Sequence, residues 1–495
     1  MTRTKGETAV AFCPPDQLRD ILANIRDRYV AVIGLGVFGG GEGAVRFLCQ
    51  RGARVTVTDL KTAEQLAPAI ERLSDLRVRY SLGWHNIREL TKCELIVANQ
   101  AIPRSAEVLV ACAKAGLPMT TPMNTFLALC PAPTLGVTGS VGKSTTTAML
   151  AALMQRGKRP VRLGGNIGIS LLPQVDEISA DEVVVLELSC FQLEDSAHLR
   201  TSPHVAVVTN LTPNHLDRYG THEAYAKSKR SIVEFQKPCD LAVLNATDPI
   251  LQQWARWGLK GEVIFFDPED RPGPLVKGMN VRSGRLIWNC GKSPQVICRR
   301  DEMPLLGAHN TANALAASAA ALWMGLSPAK VRQALAAFET LEHRLEECGS
   351  PGGLRFFNDS DATTPESTMA GVRSFDGPLT LIAGGYNKRL DMRALASEIA
   401  RRAAVFVTIG ASGPALAQLV REAGMHVGRA PVIHEAGSLE DAVHSAARLS
   451  VPGSVVLFSP GCASFDMFQN FADRGQQFKE LVRGLEERAR EARAC

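Results

Sequence analysis

The stretch GVTGSVGKSTTT, which begins at Gly136, combines glycines, a lysine and hydroxyl side chains at a spacing suited to phosphate binding. Glycine turns leave backbone N–H groups free to converge on phosphate oxygens, and the start of a following helix adds partial positive charge. Lys143 supplies a full positive charge, and a hydroxyl after it can bind Mg²⁺. Val137 stands where the strict motif has its first glycine, so the spacing is a variant. The stretch predicts a nucleoside triphosphate site formed by Gly139, Ser140, Gly142, Lys143, Ser144 and Thr145.

A second glycine turn, in AVIGLGVFGGGEGAV from Ala31, follows an apolar segment and precedes a helix-compatible one. Gly34, Gly36 and Gly39 lie in this turn, and Asp59 ends the next apolar segment. This spacing is typical of a dinucleotide-binding domain, so a dehydrogenase is one interpretation. Because any ligand with a pyrophosphate can use the same turn, the pattern alone does not identify the ligand.

Composition sets broad limits on the structure and on the partners. A chain of 495 residues, 45% of them hydrophobic and 21% charged, predicts about three globular domains. The net charge is +5 with Lys and Arg scattered among acidic residues, so no nucleic-acid partner is predicted. The twelve cysteines form no C-x-x-C pair, which gives no indication of a zinc site. No segment is typical of a signal peptide or a membrane span, and we expect a soluble cytoplasmic protein with no membrane partner.

Short apolar segments alternate with longer helix-compatible segments along most of the chain. This alternation is typical of an α/β fold with parallel sheets, in which ligands bind at the carboxyl edge of the strands. Breaks at prolines 131 and 133 and near residue 341 divide the chain into three α/β segments, 1–128, 129–341 and 342–495. The predicted strands include YVAVIGLG, TLGVTGS, EVVVLELS, HVAVVTNL, LAVLN, LTLIAGG, AVFVTIG and SVVLFSPG.

The phosphate loop resembles that of the Mur ligases, the ATP-dependent enzymes that add amino acids to peptidoglycan precursors, and that of their relatives that add glutamate to folates. Further stretches in the same order resemble this family over nearly the whole chain: GGNIG, LELSCFQLE, TPNHLDRYGTHEAYAKSK, LLGAHNTANALAA, LEHRLE, FFNDSDATTPEST, GGYNKRLD and SPGCASFDMF. The second, third and last of these are similar to the branch that joins glutamate to UDP-N-acetylmuramoyl-L-alanine.

The resemblance implies one role for each segment. Segment 1–128 would be a Rossmann-like domain that binds the UDP part of the substrate instead of a dinucleotide. Segment 129–341 would be a P-loop ATPase-type domain with a mostly parallel sheet, and segment 342–495 a Rossmann-like domain that binds glutamate and closes over the nucleotide. The implied reaction is the addition of D-glutamate through an acyl phosphate, by a monomer acting on small molecules.

The resemblance also assigns residues to each ligand. The implied catalytic residues are Lys143, His215 and Lys229. Mg²⁺, in two sites, would be held by Ser144, Glu187, His215 and a carbamylated Lys229. The UDP substrate would contact Gly36, Val37, Phe38, Asp59 and Asn166, ATP would also contact Asn310, Asn313, Arg344 and Asp359, and glutamate would contact Thr363, Lys388, Ser464 and Phe471.

Several of these residues have a plainer interpretation from the sequence alone. His215 could be a capping or core histidine, Asn310 a helix cap and Lys388 an ordinary loop charge. The run KSKR could be a solvated helix face, although the resemblance implies Lys229 in place of Lys227, since Lys229 follows Tyr225 at the family's Y-x-x-x-K spacing.

The chain departs from the family pattern at a few positions. Asp361 stands where many members have a lysine, and we expect this carboxylate to weaken the local attraction for anionic ligands. Val141 replaces a common asparagine, and ANQAIP replaces the usual turn after a strand of the first segment.

Other functions remain open at this stage. The same reaction with L-glutamate is the nearest alternative, because stereochemistry depends on the shape of the pocket. A folylpolyglutamate-type ligase is more distant, since we would expect it to begin directly with its ATP loop. A nucleotide-binding regulator without activity and a dehydrogenase are the alternatives from other classes.

Overall fold

The computed structural model describes residues 10–36, 39–168 and 170–494. These residues form two compact units. The first runs to Glu302 and also includes Ala312–Leu335, and the second comprises Met303–Thr311 and the chain from Ala336 onward. Val37 and Phe38, predicted to contact the UDP substrate, lie outside the described residues.

The first sheet belongs to the first unit and is parallel throughout, with strand order 3-2-1-4-5. Its strands are β1 Tyr29–Ile33, β2 Arg54–Asp59, β3 Val78–Leu82, β4 Leu95–Ala98 and β5 Met119–Thr120. The helices of this part are α1 Pro15–Ala23, α2 Gly40–Gln50, α3 Ala67–Glu71, α4 Ile87–Leu90, α5 Glu107–Lys114 and α6 Pro122–Leu129. The glycine turn between β1 and α2 lies at the carboxyl edge, as the Rossmann-like prediction requires.

The second sheet, also in the first unit, has nine strands in the order 14-13-12-11-10-9-6-8-7. The strands are β6 Thr134–Thr138, β7 Val161–Gly165, β8 Val183–Glu187, β9 Val205–Val208, β10 Leu241–Asn245, β11 Glu262–Asp267, β12 Gly278–Arg282, β13 Arg285–Asn289 and β14 Gln295–Arg299. It is parallel except that β12, β13 and β14 pair antiparallel. Its central strands are buried along their whole length, which explains their continuous apolar sequences.

Eight helices accompany the second sheet along the chain: α7 Lys143–Met154, α8 Cys190–Ser196, α9 Leu216–Tyr219, α10 His222–Lys229, α11 Ser231–Glu234, α12 Pro249–Arg256, α13 Ala308–Trp323 and α14 Pro328–Ala336. Helix α7 follows β6 directly through the glycine-rich loop.

The third sheet lies in the second unit and has the order 15-16-20-17-18-19, parallel except for the edge pair β15 and β16. Its strands are β15 Glu346–Gly349, β16 Arg355–Asn358, β17 Leu379–Gly384, β18 Ala403–Ile409, β19 Val432–Glu435 and β20 Val455–Phe458. The helices are α15 Pro365–Val372, α16 Arg393–Arg402, α17 Gly413–Val427, α18 Leu439–Leu449 and α19 Phe471–Ala494.

The α/β prediction is confirmed, and each of the eight predicted strands corresponds to an observed one. Each predicted segment supplies one sheet, from strands within 29–120, 134–299 and 346–458. The segment borders themselves stay predictions. In the described parts of the chain, we find no helix with the length and apolar character needed to cross a membrane.

Candidate active site

The loop between β6 and α7 is shaped by two glycines with positive φ angles, Gly139 at 151° and Gly142 at 84°. A Cβ atom at Gly139 would lie 1.9 Å from Thr209 Oγ1, and one at Gly142 would lie 2.4 Å from Asn313 Oδ1. Neither position has room for a side chain, so the backbone of the loop is packed closely against its neighbours. This tight turn places the N-terminus of α7 at the loop, where it favours an anion.

Gly142→Ala tests the loop geometry. We expect at least about a tenfold loss of ATP affinity, since the left-handed conformation costs an L-residue roughly 1–2 kcal/mol and the new methyl group would also displace Asn313. Calorimetric titration with Mg·ATP would measure the loss. Gly291→Ala is the matched control, because a Cβ atom at Gly291 would meet its nearest neighbour at 3.8 Å. The affinity of this variant for ATP should equal that of the wild type. Equal affinities in the two variants would contradict the role of the loop.

The loop is also fixed by hydrogen bonds to the segment after β9. The Ser140 N–H donates to the Asn210 carbonyl over 2.9 Å, and the Ser140 hydroxyl donates to the Thr212 carbonyl over 2.8 Å. The Val141 N–H donates to Asn210 Oδ1 over 3.0 Å. The loop therefore has a single well-defined backbone path, with Val141 tolerated because its backbone alone makes the contact.

The predicted phosphate-binding lysine stands at the first position of α7. Lys143 Nζ donates to the Ser140 carbonyl over 3.0 Å and is half-buried. Ser144 is half-buried on the same helical turn, and the Thr145 side chain is buried. The amine and the Ser144 hydroxyl thus lie where the sequence predicts a phosphate and its Mg²⁺.

Lys229 is the most deeply buried lysine of the site, with 1% of its surface exposed. Its Nζ donates to Thr138 Oγ1 over 3.2 Å, at the end of the strand that leads into the phosphate loop. Burial, and secondarily the charge of Lys143, lower the pKa of Lys229 to about 7. Lys227, two residues earlier on the same helix, is exposed.

Glu187 ends β8, which pairs with β6, and only 2% of its surface is exposed. Its Oε1 accepts a hydrogen bond of 2.8 Å from the Asn166 side chain. Its Oε2 is buried and has no hydrogen-bond donor among the described residues. A buried carboxylate oxygen without a donor is costly, and a cation would remove the cost.

His215 adopts a left-handed conformation, with φ of 50°, immediately before α9. Its ring lies edge-on to Phe191, with 5.1 Å between centroids, and 6.3 Å from the ring of Tyr225. Tyr225 is buried and its hydroxyl lies 3.0 Å from Ser140 Oγ, so one aromatic group links the histidine to the phosphate loop. Within the described residues, no three or more His, Cys, Asp or Glu side chains gather as a metal-binding group.

Asn310 and Asn313 are both buried in α13, but their side chains make different contacts. Asn310 Nδ2 donates to the carbonyl of Leu306 over 2.9 Å, one turn back. Asn313 Oδ1 accepts from the Thr146 hydroxyl over 3.1 Å, which connects it to the helix of the phosphate loop. Asn310 is the third residue of α13, and its side chain bonds to a residue that precedes the helix.

One cavity of about 710 Å³ in the first unit collects the residues predicted for the UDP substrate. Gly36 and Asp59 line it from the carboxyl edge of the first sheet, and Asn166 lines it from the turn after β7. Asp59 Oδ1 accepts from the Lys61 N–H over 3.0 Å, and the Asn99 side chain donates to the Gly34 carbonyl over 3.2 Å. The structure thus brings the described UDP-contact residues to one cavity, although their roles stay predictions.

In the second unit, Asp359 is buried after β16. The Ser459 hydroxyl donates to its Oδ2 over 2.7 Å, and the Leu345 N–H donates to its Oδ1 over 3.3 Å. Burial raises the pKa of Asp359 to about 7, and the charge of Asp361 adds to the rise. Asp361 itself forms an ion pair with Arg344. The predicted ATP residues Arg344 and Asp359 are therefore placed on two adjoining turns of this unit.

Asp359 gives the second unit a pH-dependent stability. Its folded pKa of about 7 exceeds the unfolded value of about 4, so folding favours the protonated form. The resulting stabilisation is complete below about pH 4 and is lost as the pH rises through about 7. Between about pH 4 and pH 7, the wild type should therefore lose stability relative to Asp359→Asn, measured as the free energy of unfolding. Denaturant unfolding at several pH values would measure it, and parallel curves would contradict the assignment.

Sequence reasoning missed Arg474, which has only 1% of its surface exposed. Its guanidinium donates to the Ser360 side chain over 3.0 Å, to the Ser360 carbonyl over 2.8 Å and to the Cys462 carbonyl over 3.1 Å. Burial lowers its pKa to about 10. Arg474 thus joins the turn after β16 to the turn after β20. The one signal in the sequence for its burial is the position of this arginine on the apolar face of α19.

These turns carry the residues predicted to bind glutamate. Ser464 is buried, Thr363 is half-buried and precedes α15, and Phe471 begins α19 with 37% of its surface exposed. Lys388 is exposed, and its Nζ lies 5.5 Å from the centre of the Phe465 ring. Tyr386 and Ala463 pair as a β-bridge, which holds the Lys388 turn beside the Ser464 turn. The second unit therefore gathers a cation and two hydroxyl groups around neighbouring turns.

Comparison with known proteins identifies the family of the chain. Residues 28–121 match the family model for the Mur ligase MurD-like N-terminal domain, 137–321 that for the Mur ligase middle domain and 343–462 that for the Mur ligase glutamate ligase domain. A UDP-N-acetylmuramoylalanine–D-glutamate ligase of Roseiflexus sp. (strain RS-1) is 40% identical over 91% of this chain and 97% of its own length. The chain belongs to the Mur ligase family. Mur ligases are ATP-dependent ligases, and the chain is one of them.

Other relatives support the same family membership. The ligase of the same name from Symbiobacterium thermophilum is 37% identical over 92% of this chain and 98% of its own. Among solved structures, the UDP-N-acetylmuramate-alanine ligase MurC of Thermotoga maritima gives a TM-score of 0.61 at 17% identity, covering 92% of this chain and 99% of that one. A pseudomurein peptide ligase of Methanothermus fervidus gives 0.57 at 17% identity, over 92% and 100%. At these identities the two structures show that the Mur ligase fold is shared.

Proposed function

We propose that the chain joins D-glutamate to UDP-N-acetylmuramoyl-L-alanine at the expense of ATP, for peptidoglycan precursor synthesis. The observation that carries the proposal is the cavity of the first unit, which extends from the glycine turn at Gly36 to Asn166. Asn166 bonds to Glu187 on β8, next to the strand of the phosphate loop. A nucleotide sugar held at the glycine turn therefore has its far end directed toward the phosphate loop. The names of the relatives supply the substrate.

The proposed reaction has two steps. A carboxylate oxygen of the alanyl group attacks the γ-phosphorus of ATP, and the bond from that phosphorus to the ADP oxygen breaks, which leaves an acyl phosphate and ADP. The free amine of glutamate then attacks the acyl carbon, phosphate leaves with the former C–O electrons, and the amine nitrogen gives up its proton. In the first step, catalysis consists mainly of positioning and charge neutralisation.

The residues of the first unit divide these tasks. The loop from Gly139 to Thr145 holds the phosphates at the N-terminus of α7, and Lys143 neutralises charge that develops on the transferred phosphoryl group. Asn313 adds to the ATP site from α13, where it already packs against this loop.

The residues present fit Mg²⁺. The buried Glu187 Oε2 lacks a donor among the described residues, and the Ser144 hydroxyl and His215 are the further ligands we propose. When bound, Mg²⁺ supplies positive charge to the phosphate oxygens. The aromatic contacts of His215 keep its ring oriented, and we propose two ions in the working enzyme.

We further propose that Lys229 is carbamylated. Its neutral amine attacks the carbon of CO₂, an N–C bond forms, and the nitrogen loses one proton, which gives a carbamate anion. The burial of Nζ, whose hydrogen bond goes to the neutral hydroxyl of Thr138, supports the change because burial disfavours the ammonium form. The carbamate would add a negative ligand for a second Mg²⁺.

For the second unit we propose that Arg344 and Asp359 bind ATP, as does Asn310. Glutamate would be held by Lys388 and by the hydroxyls of Thr363 and Ser464, with Phe471 beside them. A cation with hydroxyl donors suits the two carboxylates of glutamate. We also propose that the enzyme acts as a cytoplasmic monomer without a membrane or nucleic-acid partner.

One assay tests the proposal and its nearest alternative. The purified protein would be incubated with Mg·ATP, bicarbonate and UDP-N-acetylmuramoyl-L-alanine, with D-glutamate or L-glutamate in parallel, while phosphate release and product mass are followed. Release that requires D-glutamate supports the proposal. Release with L-glutamate alone would keep the mechanism and change the substrate, and no release with either isomer would overturn the proposal.

A further inference from the structure

Arg344 lies in a short turn with unusual backbone geometry. The residues on either side of it, His343 and Leu345, both have positive φ angles, 62° and 46°. Neither is a glycine, so both conformations carry strain that the surrounding contacts must offset. The turn therefore keeps this backbone geometry only if contacts with its neighbours stabilise it.

Three contacts hold this turn against the turn after β16. The Asp361 N–H donates to the His343 carbonyl over 3.1 Å, and Asn358 Nδ2 lies 2.9 Å from His343 Nδ1. The Leu345 N–H donates to Asp359 Oδ1 over 3.3 Å. Backbone contacts on both sides of Arg344 therefore fix where its side chain starts.

The fourth contact involves the guanidinium itself, which forms an ion pair with the Asp361 carboxylate. The two side chains keep 31% and 20% of their surface exposed, so the pair is accessible to a competing anion. A carboxylate and a phosphate use the same donors of an arginine. Burial is the main reason for the raised pKa of Asp359, and the charge of Asp361 adds to the rise.

We propose that Asp361 is a positioning residue that acts as an internal anion for Arg344, so that the nucleotide phosphate must displace this carboxylate when it binds. The inference rests on the proposed role of Arg344 in ATP binding. Asp361 pairs with the Arg344 guanidinium in the absence of nucleotide, and it lowers nucleotide affinity in return.

The test is the affinity of the full-length protein for Mg·ADP, measured by calorimetric titration in the absence of the other substrates. Asp361→Asn retains the size of the side chain and removes its charge, and we expect about fivefold tighter binding. Asp361→Ser is a second neutral variant in case the first does not fold, and Asp361→Lys should tighten binding further. Unchanged or weaker binding in a folded neutral variant would overturn the inference.

A double-mutant cycle separates this role from a purely structural one. In the background of Arg344→Ala, Asp361→Asn should have no further effect, because the competition no longer exists. Glu435→Gln, which removes the carboxylate of the Arg421–Glu435 pair at 2.8 Å in the same unit, is the control and should leave affinity unchanged. An equal gain in affinity in the presence and absence of Arg344 would also overturn the inference.

The cycle also distinguishes failure of the inference from failure of the proposed function. If Arg344→Ala leaves Mg·ADP affinity unchanged, the ATP-binding role of Arg344 is wrong, and the inference fails with it. If Arg344→Ala weakens binding while Asp361→Asn has no effect, only the inference fails.

Discussion

Replacing Lys229 by alanine should reduce turnover by about a thousandfold or more, the scale expected when a charged group that stabilises the transition state is lost. The side chain is buried against Thr138 at the end of the phosphate-loop strand, where no solvent ion can replace it. Phosphate release in the assay described above, over a range of bicarbonate concentrations, would measure the effect. The wild type should gain activity with bicarbonate, and the variant should not.

Lys227→Ala is the matched control for this prediction. Lys227 lies two residues away on the same helix and is exposed, so its removal should change turnover by less than about twofold, as for ordinary surface substitutions. Normal turnover of Lys229→Ala at every bicarbonate concentration would show that neither the amine nor a carbamate takes part.

Arg474→Ala should destabilise the second unit by about 3 kcal/mol or more, because it leaves two carbonyl groups and a hydroxyl without their donor and opens a cavity. Since the same three contacts join the turns of Asp359 and Ser464, glutamate affinity should fall as well. Denaturant unfolding and the Michaelis constant for glutamate are the two measurements.

Arg483→Ala on the same helix provides the control, since Arg483 is exposed. Arg483→Ala should change the free energy of unfolding by no more than about 0.5 kcal/mol, as surface substitutions do. It should leave the Michaelis constant for glutamate unchanged. If Arg474→Ala were no more destabilising than Arg483→Ala, Arg474 would not be the connection between the two turns.

The parts of the fold that follow from local sequence were predictable. Segments such as EVVVLELS and HVAVVTNL are apolar along their whole length and end in polar residues, as buried parallel strands must. The hairpin of β12 and β13 was not predicted, although its signal was present. Ser283 and Gly284 have φ angles of 50° and 68°, the pair of positive angles that a two-residue hairpin turn requires.

The candidate site was predictable where one motif carries both the residue and its surroundings. The phosphate loop, Glu187 and Lys229 belong to this class. Arg474 and the Arg344–Asp361 pair do not, because their partners lie on turns that only the tertiary fold brings together. A charged residue on a helix has the same appearance in the sequence whether its partner is water or a buried carbonyl.

Gly165 lines the cavity of the first unit, and its backbone has a φ angle of 98°. A Cβ atom there would lie 2.2 Å from the carbonyl oxygen of Glu187. Any replacement would therefore force β7 away from the strand that carries this carboxylate. An inhibitor that rests on the bare backbone of Gly165 would contact a surface that no substitution at this position can reshape without displacing β7, so resistance would have to arise elsewhere in the cavity.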